Sequence, residues 1–168
     1  FEQFWGRTNP YTHKRYVDDP AVAVLELSNE HSLLLQWGVG LEQLHPTHLA
    51  SLTRKWNEWL KTKYPSEEAL QAAWKGSVHS GLQPGESLQS GTIAREPALP
   101  ALADRWPEQR KLDLLDFYRE LEEGFYAKVA AKAREMGFKV PMVPGIHYNR
   151  PLLQAMQAHF PVADIHVN

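Results

Sequence analysis

The sequence predicts an α/β fold, and within it part of a (β/α)8 TIM barrel: parallel strands, with a helical and loop insertion after the first visible strand. Three observations point there. Strand-like and helix-like patterns alternate along the 168 residues, the order expected of parallel βαβ units. Each strand-like run ends in a polar, ring-bearing or carboxylate cluster, as the mouth of a barrel requires. No glycine-rich phosphate loop follows any of them, which counts against a nucleotide-binding open sheet. A complete barrel needs eight strands and about 250 residues. Three strands would therefore make a segment of one, with residues 1–168 as a single partial domain.

The elements follow in order. Asn9-Pro10-Tyr11-Thr12 and Asp18-Asp19-Pro20 are turn chemistry, since proline restricts both its own φ and the residue before it. Ala21 to Leu27 is a short apolar run rich in β-branched residues. It reads as a strand buried on both faces, and it leaves through Ser28-Asn29-Glu30-His31. Pro46 to Tyr64 reads as a helix, with Leu49, Leu52, Trp56, Trp59 and Leu60 on one stripe. Ser66 suits the N-cap of a shorter helix that has Glu67 and Glu68 in its first turn.

Residues Gly76 to Trp106 are rich in Gly, Pro and Ser without a period and read as a long surface excursion. Pro107 to Gly137 is the clearest helix. Leu112, Leu115, Tyr118, Leu121, Phe125, Val129 and Ala133 recur at helical spacing, and Gly137 suits the C-cap. Lys139 to Ile146 predicts a second strand, with His147-Tyr148-Asn149 as its polar exit. Arg150 to Phe160 predicts a short helix and Val162 to Asn168 a third strand. Phe1, Phe4 and Trp5 read as the end of an apolar segment, and the last residues as a strand broken off. Both ends are therefore expected to be cut, with any export signal outside this window.

Composition excludes several functions. The formal net charge is −2 and no basic run appears, whereas a nucleic-acid partner would need clustered Lys and Arg. No apolar run is long enough to span a bilayer. The chain has no cysteine, which removes disulfides, thiolate metal sites and a Cys nucleophile. His45 and His48 are three apart, but no HExxH-type pair exists. His147 and His166, at successive strand ends, are the pair that could converge. The expectation is no metal site and no cofactor.

The residues that could do chemistry centre on Leu25-Glu26-Leu27-Ser28-Asn29-Glu30. Cleaving a glycosidic bond commonly takes two carboxyl groups, one of them protonating the leaving oxygen. A strand end holds such an acid rigidly and aims it into a barrel mouth, and the preceding Asn can bond a sugar hydroxyl. This strand end resembles the fourth strand of the clan A glycoside hydrolases, including the family 5 cellulases and mannanases. Its Asn-Glu, its preceding Glu26-Leu27, and the run-in Asn9-Pro10-Tyr11-Thr12 with Asp18-Asp19-Pro20-Ala21 are all similar to members of that clan. The resemblance covers most of the chain except the excursion.

The resemblance implies a retaining glycoside hydrolase that acts on a β-linked poly- or oligosaccharide. In it Glu30 is the general acid/base, and Asn29 binds the hydroxyl beside the anomeric carbon. The later strands become strands five and six, and His166 lies where the clan often carries a ring facing the sugar. A secreted or periplasmic parent is compatible with it. Sugar, linkage and oligomeric state stay open.

The clan's nucleophile is a Glu ending the seventh strand, and no carboxylate here suits it. Glu42, Glu58, Glu67, Glu68, Glu108, Glu120, Glu122, Glu123 and Glu135 lie on helices or helix flanks, Glu86 and Glu96 in the excursion, and Asp164 inside a strand rather than at its end. The nucleophile is expected outside this chain, and the chain alone is expected to be inactive.

Each candidate has a plainer reading. Asn29-Glu30 can simply start a helix. Glu26 shares parity with Ser28 and Glu30; facing inward it would need an ion-pair partner. His31 either lines a pocket or caps the next segment. His147, Tyr148 and Asn149 are either binding residues at a strand exit or turn and packing residues. His166 is either a sugar contact or a satisfied core histidine. Among the six Trp residues, Trp56, Trp59 and Trp74 fall on helical stripes and read as core. Trp37 and Trp106 are better placed as sugar platforms. Two rival functions remain: a barrel that binds carbohydrate without cutting it, and a metal-dependent barrel hydrolase.

Overall fold

The computed structural model describes residues 2–30, 32–33, 41–75, 81–95, 107–145, 157–164 and 166. The elements are α1 (Glu2–Trp5), β1 (Leu25–Glu26), α2 (Pro46–Lys63), α3 (Glu67–Ala73), α4 (Glu108–Glu135) and β2 (Met142–Val143), with single 3-10 turns at Tyr16–Asp18 and Leu41–Gln43. The chain gathers into two compact units, one of Phe1–Ser32 with Leu121–Asn168 and one of Leu33–Glu120.

The helices form where periodicity and caps place them. The His45 side chain accepts the Thr47 amide at the start of α2. Ser66 accepts the Ala69 amide and caps α3. The end of α4 is closed by the Gly137 amide on the Arg134 carbonyl and the Phe138 amide on the Ala133 carbonyl. The φ of +105° at Gly137 is costly for any residue with a side chain, which is why glycine stands there.

In the second unit Trp56, Leu60, Leu70, Trp74, Ile93 and Phe117 form the core. Trp56 and Trp74 stack with ring centroids 6.3 Å apart, so both are core as expected. The middle of the predicted excursion packs too. Ile93 is fully buried, and its backbone N–H and C=O both bond the Asn57 side chain at 2.9 Å. The first unit closes over Trp5, Leu25, Leu27, Tyr126, Val129, Ala133, Phe138, Met142 and Val143.

The barrel expectation is wrong. The described residues are mainly helical, and their sheet has two parallel strands of two residues each, so this is not a partial (β/α)8 barrel. Of the run Ala21 to Leu27, only Leu25 and Leu27 are buried, while Val24 is 46% exposed. The run has one covered face instead of two. The third strand does not form over the described residues 162–164. There the Gln157 side chain donates to the Asp164 carbonyl and accepts from the Asp164 amide, both at 2.7 Å. One amide side chain takes the backbone groups that a neighbouring strand would have used. The apolar stripe of α4 is also corrected. Leu112 and Phe125 are 44% and 50% exposed, whereas Asp113, Leu114, Phe117, Glu122 and Tyr126 are buried.

Candidate functional site

In the first unit, β1 and β2 pair with Leu25 opposite Met142 and Glu26 opposite Val143. The ladder extends past both strands. The Leu27 amide donates to the Val143 carbonyl at 2.9 Å, and the Glu30 amide to the Gly145 carbonyl at 2.7 Å. Between these two bonds the chain turns, and Glu30 adopts a φ of +53°. A left-handed backbone at a residue with a side chain costs about 1–3 kcal/mol and is a feature of functional sites. Gly145 sits against the turn at a φ of +71°. A methyl group there would overlap the Ser28 carbonyl oxygen and crowd Glu26, so only glycine allows the approach.

Onto this turn comes His166. Its Nδ1 lies 2.8 Å from Glu30 Oε1 and its Nε2 lies 3.1 Å from Asp164 Oδ2, with Glu26 Oε1 at 3.6 Å from the same Nε2. Glu30 and His166 are half-buried, with 28% and 21% of their side chains exposed. The bond to Glu30 raises the pKa of His166 above its ordinary 6.5. The charges of Asp164 and Glu26 add to the rise, and partial burial opposes it. An imidazolium that donates from both nitrogens satisfies the whole group, because a neutral ring could donate from only one.

Of the residues singled out from sequence, Glu30 and His166 are brought together. Asn29 precedes Glu30 in the turn and is exposed. His31, Trp37, His147, Tyr148, Asn149 and Trp106 lie outside the described residues. Glu26 does not face inward: its side chain is 43% exposed and lies 3.6 Å from His166 Nε2. Asp164 was missed. The available signal was proximity in the chain: Asp164 lies two residues before His166, and the two side chains meet at 3.1 Å.

One oxygen each of Glu26 and Asp164 and one ring nitrogen of His166 lie within 4.8 Å of one another. Two of its three donors are carboxylates, so histidine spacing in the sequence does not reveal it. Among the described residues, no helix is long and apolar enough to cross a membrane. No protein-family model, no curated protein and no solved structure matches the chain.

Proposed function

We propose that this chain carries the acid/base half of a retaining glycoside hydrolase centre acting on a β-linked poly- or oligosaccharide. Glu30 protonates the leaving glycosidic oxygen and then takes a proton from the attacking water. Asn29, beside it, bonds the hydroxyl next to the anomeric carbon, and the nucleophilic Glu is supplied from outside these 168 residues. The supporting observation is the Glu30 carboxylate itself: half-buried, on a strained turn at a strand end, and 2.8 Å from a histidine nitrogen. In the resting pair His166 holds the proton and Glu30 is the carboxylate, so the acid step draws that shared proton onto Glu30 and the base step returns it to His166.

The test compares wild type with Glu30→Gln in the protein that carries this chain together with its nucleophile. Turnover of an unactivated β-linked disaccharide should fall about 100- to 10,000-fold, the usual worth of a general acid/base. An aryl glycoside with a good leaving group should suffer less in its first step. Unchanged turnover on both substrates would sink the proposal. Saturable sugar binding without turnover in the wild type would show a binding module instead.

A second reading, a metal-dependent hydrolase, is favoured by one observation, the convergence of Glu26, Asp164 and His166. It needs His166 neutral at Nε2. Activity lost on chelation and restored by a single divalent ion would favour it over the first.

A further inference from the structure

The buried face of α4 in the first unit contains a carboxyl group where the chain could have used a hydrocarbon. Glu122, Tyr126, Val129 and Ala133 follow one another at four-, three- and four-residue steps and are all buried. Glu122 is 4% exposed, and so is Ser32, whose hydroxyl donates to Glu122 Oε2 at 3.0 Å. One helical turn on, Tyr126 is 2% exposed and lies beside Ser28. Ser28 and Ser32 bracket Asn29 and Glu30. Glu30 thus has α4 beside it on both sides in the chain, bonded at Ser32 and adjacent at Ser28, and its own amide bonds the Gly145 carbonyl.

A buried carboxyl is a poor way to stabilise a fold, because desolvation takes back most of what its hydrogen bonds return. Its use here is better explained by position. We propose that Glu122, bonded to Ser32, and Tyr126, packed beside Ser28, are positioning residues that keep the Glu30 carboxyl on His166. As a statement about catalysis this rests on Glu30 being the acid/base of the reaction proposed above. As a statement about geometry it does not.

The experiment therefore has two readouts. The first is the 15N shift of His166 Nδ1 at fixed pH, which reports the contact with Glu30 whether or not any sugar is cut. The second is kcat and KM on the glycoside. Glu122→Ala, Tyr126→Phe and Ser32→Ala should each move the Nδ1 shift toward that of Glu30→Gln. They should also lower kcat about 10- to 100-fold with KM nearly unchanged, as for a displaced catalytic group. Glu122→Gln keeps an acceptor for the Ser32 hydroxyl and should behave as wild type. A shift that follows the charge alone would change in Glu122→Gln as much as in Glu122→Ala, and that result overturns the proposal.

Folded variants with a wild-type Nδ1 shift and wild-type kcat also overturn it. Should Glu122→Ala fail to fold, Ser32→Ala removes the same bond from the turn side and decides alone. A moved shift, with turnover indifferent to Glu30→Gln, would refute the glycosidase reading and leave the positioning intact.

Discussion

Glu30 and His166 are 136 positions apart in the chain, yet a carboxylate oxygen of one lies 2.8 Å from Nδ1 of the other. The contact ties the exit of β1 to the segment that holds Asp164. It also fixes the sign of a pH effect. His166 has a folded-state pKa above 6.5, raised first by Glu30. Its contribution to stability is therefore full below the unfolded value, about 6.5 for a free histidine, and fades as pH rises through the folded value. Urea unfolding of wild type and His166→Gln should differ most near pH 6 and converge above the folded pKa. A gap that stays constant with pH would show that the ring acts by packing alone.

Gly145 should tolerate no side chain. Gly145→Ala would place a methyl against the Ser28 carbonyl at a φ of +71°. The expected loss is at least about 2 kcal/mol, combining left-handed strain with a backbone clash. Chemical denaturation measures it. The same substitution at Gly85, which also has a positive φ but open space around it, should cost only the strain, about 1 kcal/mol.

The contrast between helices and strands shows what could be read from the sequence. The start of α3 and the end of α4 were legible because Ser66 and Gly137 act on backbone groups a few residues away, while the His45 cap of α2 was not legible. The strands were not legible for the opposite reason: whether Ala21 to Leu27 joins a wide sheet depends on neighbours far along the chain, and the apolar run carries no record of them. Over the described residues 162–164 no strand forms, and the Gln157 side chain bonds the Asp164 backbone instead.

The face of α4 was misread because two of its buried positions are carboxylates, Asp113 and Glu122, which any hydrophobic period counts as surface. Glu30 was legible as a candidate from its place at a strand exit. Its left-handed backbone and its histidine partner were not, since both come from tertiary contacts.

Glu86 and Arg110 make a buried pair in the second unit, with side chains 6% and 4% exposed and a closest approach of 2.7 Å. Both oxygens of Glu86 take an Arg110 nitrogen. Burial alone would raise the Glu86 pKa, but the guanidinium bonds win and hold it below its ordinary 4.5. Its stabilisation is thus present above that value and lost as pH falls through the folded one. Glu86→Ala should cost about 3–5 kcal/mol by stranding a buried cation, whereas Glu86→Leu with Arg110→Met should cost much less. Equal losses for the single and double changes would mean that the pair supplies net stability beyond satisfying its own charges.

Asp113 is fully buried, yet its carboxylate is well supplied with donors. Trp74 Nε1 and Gln109 Nε2 donate to it at 2.7 and 2.8 Å, the Tyr64 hydroxyl donates as well, and Lys63 Nζ approaches to 3.0 Å. One carboxylate thus joins α2, the residue that ends it, α3's C-cap tryptophan and α4. Burial first, and the Asp113 charge with it, raises the Tyr64 pKa well above its ordinary 10.

Asp113→Asn keeps the shape and one acceptor but removes the charge. The Tyr64 pKa should therefore fall back toward 10, read as phenolate absorbance on alkaline titration. Asp113→Ala should cost about 3 kcal/mol or more, because it leaves the Trp74 indole N–H and the Tyr64 hydroxyl buried or half-buried without their acceptor. If Asp113→Ala lost no more than a surface substitution, about 0.5 kcal/mol, water would have to be reaching those donors. The carboxylate would then be a passenger in the core, not the group that joins its helices.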